Sequence, residues 1–558
     1  MGKKIKLVFC IFIAVTASGC RSEPATPAGL ILTNGAVHAP DGTVEAVAIA
    51  ADGVILAVGS SRSIDSYRGS ATQVIDLQGD SVLPGFHDMH VHPMGAGLRQ
   101  KQCMFPQGSN LQVIQDTIAA CVAERSPGEW ISGGQWDASP LGGVPTRQMI
   151  DAVSPDNPVV LRDTSGHSTW ANSAALKLAG VTRDTPTPPG GVIEKDATGE
   201  PTGVFRERAS GLVRSNAPAT TFEDQKAALV WAMDKLLSYG ITSYTDAGVS
   251  GQSAQVYAEL ADEGILKQRV RMCLRGRSAE EGIIASREKY VRERLSPDCV
   301  KLGLDGVPTD SHTAAMLEPY AGTTSEDSDA WRLGLLLIEP EQLDQMVTNF
   351  DQLGLTVKIH AAGDAAVRAG LNAFEVARQA NGPNDQHHNV GHVTFISEED
   401  VPRAVGLGAT YEVSPYLWSP TPINDAITLA AGPERIQRVW PVRELLESGA
   451  LVVPGSDWAV VPSPNPWPAI ESLVTREVPG GGESFGKAGA VTIEQALGMF
   501  TVNSAKQMGQ DKLTGRIEPG ALADLVVVDR NPFETDPYSL HETVVKKTII
   551  NGEVVYSR

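Results

Sequence analysis

His90-Val91-His92 sets two imidazoles two residues apart. On an extended strand residues two apart point to the same side, so both rings can face one metal ion. Taken alone, the pair serves equally well as two surface or core histidines. Four later apolar segments also end in groups of compatible chemistry: Lys301, His360, His392 and Asp457. Imidazole and carboxylate donors suit zinc and similar divalent ions. The six cysteines contain no C-x-x-C pair, which argues against a thiolate zinc site. Spacing leaves open whether Cys103 and Cys121 are joined.

The elements that must position these groups read as an α/β chain. Short apolar strands at 83–90, 241–246, 270–274, 300–304, 355–360, 389–395, 409–413 and 451–457 alternate with amphipathic helices. Eight such strands complete a TIM (β/α)8 barrel, whose chemistry sits at the C-terminal rim. The first, fourth, fifth, sixth and eighth strands bring the histidines, Lys301 and Asp457 to that rim. Between the first two strands lie about 145 residues, far beyond an ordinary connection, so 95–240 form an inserted subdomain over the functional face. Apolar runs broken by Asn34-Gly35, Asp52-Gly53 and Asn551-Gly552 indicate hairpins at both chain ends. Residues 29–83 and 506–558 are therefore expected to form one small β-sandwich domain, with the barrel (84–94 and 241–505) between them.

The 558 residues are 42% apolar and 20% charged, with a formal net charge of −20. That balance is globular and excludes a nucleic-acid partner, which calls for a basic face. Lys3, Lys4 and Lys6 precede an apolar run from Leu7 to Val15, and Ala17-Ser18-Gly19-Cys20 follows. This is the composition of an export signal over 1–20. Small residues ending in Cys resemble a bacterial lipoprotein signal with Cys20 lipidated; the alternative is a plain secretory signal. Residues 21–28 read as a tether. Arg21 is not the aspartate of inner-membrane retention, so the expectation is an outer-membrane lipoprotein facing the periplasm and touching membrane only through that anchor.

Pro84-Gly85-Phe86-His87-Asp88-Met89-His90-Val91-His92-Pro93 resembles the first-strand motif of the amidohydrolase superfamily. The chain is similar to the amidohydrolase 3 branch, which includes N-substituted formamide deformylases. The likeness extends through Gly134-Gln135-Trp136-Asp137, 166–173, Val300-Lys301, Asp305-Gly306, 360–364 and Gly455-Ser456-Asp457-Trp458. It implies that His90, His92 and Asp457 hold one zinc ion and His360 and His392 a second. Lys301, carboxylated on its side-chain nitrogen, bridges them; Glu207, in another family-like stretch, is the rival bridge. A departure stands before the sixth-strand ligand, where Gly391 replaces the family's usual acid.

The resemblance implies hydrolysis of a non-peptide C–N bond in an N-acyl or N-formyl small molecule. Two ions, typically about 3.5–4 Å apart, activate water between them and polarise the carbonyl. Asp457 passes the nucleophile's proton to the leaving nitrogen. Cyclic-amide or ester hydrolysis by the same groups is the alternative, as is a non-catalytic ligand-binding lipoprotein. Trp136, His167, Trp170 and Asn172 from the insertion, with His312, Tyr416 and Trp458 from barrel loops, are candidate substrate contacts, packing being the other role for the aromatics. His87 is out of phase with His90 and reads as structural; His387 and His388 read as solvent-facing. Oligomeric state is left open.

Overall fold

The computed structural model describes residues 26–278, 281–418, 422–484 and 486–558. The expected signal segment 1–20, Cys20 and most of the tether lie outside the described residues. Among the described residues no helix is long and apolar enough to cross a membrane.

Eight parallel strands form the central sheet: β1 (Phe86–Val91), β2 (Ile241–Val249), β3 (Arg269–Arg275), β4 (Leu295–Gly303), β5 (Thr356–Ala361), β6 (Asn389–His392), β7 (Thr410–Val413) and β8 (Leu451–Pro454). Each pairs with the next in chain order. Strands buried on both faces read as near-continuous apolar runs, as Leu451–Pro454 does; Thr356–Ala361 is buried throughout although it alternates apolar residues with Thr356, Lys358 and His360. The sheet closes where β8 runs on past its last residue: Asp457 N donates to His90 O at 2.7 Å and His92 N to Trp458 O at 2.5 Å. The buried Asp88 carboxylate fastens the same seam, its Oδ1 accepting from His90 N at 3.1 Å and Ser456 N at 3.0 Å. The result is a TIM-like barrel whose closure brings the His90-Val91-His92 segment against Asp457.

The expected first strand began too early. Ser81–Pro84 belongs to a different sheet, where it pairs antiparallel with Leu525–Val528, and Gly85 separates it from β1. A side chain at 85 would meet Thr242 Oγ1 at 2.3 Å, so the chain changes sheets through glycine. That six-stranded sheet takes strands from both chain ends; a four-stranded sheet over Leu30–Asp76 lies beside it. The two share one core, with Leu30, Val37, Val47, Leu525 and Ile549. Arg269 Nε bonds Asp524 Oδ2 at 2.8 Å, tying β3 to these terminal strands.

Between β1 and β2 the chain builds a fourth sheet, six-stranded, with its own core of Phe105, Ile114, Ile118, Trp136 and Trp170. Cys103–Cys121 is a disulfide within it, and Cys273–Cys299 joins register partners on β3 and β4.

Candidate metal centre

His90, His92 and Asp457 offer ligand atoms that all lie within 4.8 Å of one another. Asp457 Oδ1 is 3.2 Å from His92 Nε2 and 3.7 Å from His90 Nε2. Lys301 Nζ stands 3.2 Å from His90 Nε2. His360 and His392 complete the group, their ring centres 4.4 Å apart and that of His392 4.6 Å from His90. All six side chains line one cavity of about 660 Å³ at the barrel's C-terminal mouth.

Three of the imidazoles are oriented by an acceptor on Nδ1. His90 Nδ1 lies 2.5 Å from Glu412 Oε1, His360 Nδ1 2.9 Å from Asp305 Oδ1, and His392 Nδ1 3.2 Å from Ser414 Oγ. Each contact leaves Nε2 as the nitrogen available to an ion, the arrangement by which acceptors behind a ligand fix its tautomer. Burial, and then the positive charges nearby, push His90, His360 and His392 well below the ordinary imidazole range. They are thus held neutral, the form that ligates. Burial likewise brings the Lys301 ammonium down to about 7, against the pull of Asp457. The donors therefore fit a divalent centre: neutral imidazoles, a carboxylate, and a lysine that gives up its proton near neutrality.

The backbone turns sharply to present these groups. Asp457, His392 and Glu207 have φ of 56°, 73° and 49°. Such conformations in non-glycine residues are strained and collect at functional sites. At Gly455 a side chain would meet His90 Cβ at 2.4 Å, so the turn into Asp457 passes close over His90 only because glycine is there.

Glu207 also lines the cavity, but both its oxygens are engaged. Oε2 lies 2.9 Å from His167 Nδ1, and Oε1 accepts from Thr313 Oγ1 at 2.8 Å. Although burial opposes its charge, the Glu207 carboxylate raises His167 to about 9. Of the expected substrate contacts, His167 faces the main cavity, while Trp136 and His312 face an adjoining recess of about 400 Å³. Trp331, Ile423 and Leu429 give that recess an apolar wall, and Ser165 borders both spaces.

Other expected contacts lie elsewhere. Trp170 is fully buried and its Nε1 donates to Thr146 O at 3.0 Å. Asn172 is fully buried and caps the helix Ser173–Ala179, its Oδ1 accepting from Ala175 N at 2.9 Å. The family-like 168–173 stretch therefore builds the insertion's interior rather than a binding surface. Trp458 sits in the closure seam, packed 5.8 Å from the Trp231 ring, and Tyr416 is buried against Phe500. His388 is not solvent-facing: its Nε2 is 2.9 Å from Asp351 Oδ1 and its Nδ1 accepts from Val357 N. Glu412 and Ser414 carry no signal in the sequence, and Asp305 stands there only in a family-like stretch without a role, because each orients a ligand on another strand.

The sequence profile described as amidohydrolase family matches residues 73–556. An N-substituted formamide deformylase of Arthrobacter pascens is 29% identical, covering 94% of this chain and 96% of its own. Among solved structures, an uncharacterized metal-dependent hydrolase from Pyrococcus horikoshii superposes with a TM-score of 0.71 at 25% identity, covering 91% of this chain and 99% of its own. Its counterpart from Pyrococcus furiosus gives 0.68 at 26%, covering 90% and 100%. With the eight-stranded barrel and its rim of histidines, these findings show that the chain belongs to the amidohydrolase family.

Proposed function

We propose that this protein hydrolyses a non-peptide C–N bond of an N-acyl or N-formyl small molecule. The observation that carries the reading is the meeting of His90, His92, Asp457, His360, His392 and Lys301 in one cavity at the barrel mouth. His90, His92 and Asp457 would hold one divalent ion and His360 with His392 a second, zinc being the ion these donors suit. Lys301, carboxylated on Nζ, would lie between them. When bound, such ions supply Lewis acidity that makes water acidic and a carbonyl electrophilic.

The chain's own groups do the rest. Glu412, Asp305 and Ser414 hold three imidazoles in the ligating tautomer. Asp457, close to both His90 and His92, is the carboxylate placed to take a proton from the attacking water and give it to the departing nitrogen. The insertion contributes His167 and Glu207 to the lining of the mouth. Partial neutrality of Lys301 favours reaction of its amine with carbon dioxide; nitrogen bonds to carbon and the displaced proton leaves to solvent. The similarity to a formamide deformylase supports the choice of bond.

The test is a panel of N-formyl amines, N-acyl amino acids, lactams and esters offered to the metal-loaded protein, with release of free amine as the readout. Amine release from open-chain N-acyl compounds, abolished by a chelator and restored by zinc, is expected. Turnover confined to lactams or esters would contradict the reading.

A further inference from the structure

The cavity adjoins the apolar recess of Trp136, Trp331 and Leu429. It is also lined by arginines from two parts of the chain: Arg214 at the end of the short helix Gly211–Arg214, and Arg275 at the end of β3 with Arg277 just beyond it. Arg162 lines the same cavity from the insertion. Among the described residues none of these four guanidiniums has an ion-pair or hydrogen-bond partner. The acids that face the cavity are already engaged. Asp246 accepts from Tyr257 OH at 2.9 Å, Glu207 is held by His167 and Thr313, and Asp457 stands with His92.

Arg275 lies over a bare stretch of backbone. A Cβ at Gly248 would fall 2.8 Å from Arg275 Nε and 3.1 Å from its Nη2, so glycine at the end of β2 makes room for the guanidinium. Arg214 is partly buried, and burial, then the charge of Arg275, holds its guanidinium below the ordinary range. The two guanidiniums are thus within electrostatic reach of one another, and Asp246 is the cavity acid that feels Arg275, in a chain whose net charge is −20. Forked, permanently charged donors set side by side are matched by a planar anion.

We propose that Arg214 and Arg275 form the subsite for a carboxylate on the substrate, making the natural substrate an N-acyl amino acid or a similar N-acyl amine acid. The inference rests on the hydrolase reading for the acyl nitrogen. It adds that the carboxylate lies toward β2 and β3 while an apolar acyl group lies toward Trp136 and Trp331.

N-phenylacetylglycine and its neutral twin N-phenylacetylglycinamide separate the two ideas. Metal-stripped protein, which cannot turn them over, is titrated with each by calorimetry; metal-loaded protein is assayed on both. Wild type is expected to bind the acid roughly 10-fold or more tightly than the amide, and to prefer it in kcat/KM by a similar factor. In Arg214→Met/Arg275→Met that preference collapses toward unity, and Arg275→Lys, which keeps the charge but not the fork, retains part of it. Acid-selective, arginine-dependent binding upholds the subsite even if no N-acyl compound is hydrolysed, a failure that falls on the hydrolase reading alone. Equal binding of acid and amide by wild type overturns the subsite, as does an unchanged preference in the folded double variant. Displacement of the acid by inorganic phosphate at lower concentration than by acetate also overturns it, in favour of phosphoryl substrates.

Discussion

Glu412 Oε1 lies 2.5 Å from His90 Nδ1, and a side chain at Gly391 would place its Cβ 3.4 Å from that same oxygen. An acid from β7 thus packs beside the glycine on β6. Lys358, on β5, contacts the other Glu412 oxygen and also bonds Met89 O at 2.9 Å, so the support for His90 is anchored on three strands, β1, β5 and β7. A Cβ at 391 would only touch Glu412 Oε1, and would press harder on Ile359 O at 3.1 Å.

Glu412→Gln should then weaken the ion held by His90 while leaving every ligand in place. Removing an acceptor behind a metal-bound histidine typically costs about 10–100-fold in affinity or activity. Competition with a chromophoric chelator measures it. Unaltered metal affinity in a folded variant would show that the contact only packs the barrel.

Lys301 and Glu207 make opposite predictions for the bridge. Lys301→Ala should lower metal content and activity together, because the ions lose a shared negative ligand and repel one another. Short carboxylic acids should restore part of both by filling the gap, and Lys301→Arg should not respond, since its guanidinium stays charged and occupies the space. If Glu207→Gln sheds metal while Lys301→Ala keeps two ions, Glu207 is the bridge. Its engagement by both His167 and Thr313 favours the first outcome.

The rim was legible because a barrel converts sequence order into position: a group at the end of each strand arrives at the same mouth. His90, His92, Lys301, His360, His392 and Asp457 could be read this way, one strand at a time. Glu412, Asp305 and Ser414 could not, since what makes them functional is a hydrogen bond to a neighbouring strand or loop. The family-like stretch around Trp170 and Asn172 misled for a related reason. Its residues look chemical, but a buried amide that caps a helix and an indole that reaches a carbonyl are equally demanding of type. Arg214 and Arg275 stand 61 positions apart and carry no motif; only the fold brings them to one wall.

His87 gives the fold a measurable acid sensitivity. Complete burial brings its imidazole from 6.5 down to about 4. The unfolded chain takes up this proton near pH 6.5 and the folded chain refuses it until about 4, so stability falls as pH drops through that window. The fall amounts to about 3 kcal/mol at most. Chemical denaturation of wild type and His87→Leu between pH 7 and 4 should show wild type losing about that much relative to the variant. Parallel curves would contradict the assignment.

We propose that the chain is exported and lipidated at Cys20. Fractionation of a Gram-negative host should place wild type with the outer membrane and Cys20→Ser in a soluble or unprocessed form. Wild type found wholly in the cytoplasm would refute the location.

Hydrolysis is proposed to depend on a divalent ion held by His90, His92 and Asp457. Elemental analysis of the purified chain, paired with amine release from one N-acyl substrate, tests it for wild type, His92→Ala and Asp457→Asn. About two ions per wild-type chain are expected, with loss of at least one in each variant and loss of turnover in step with it. A metal-free wild type that hydrolyses the substrate, or variants that keep both ions and full activity, would contradict it.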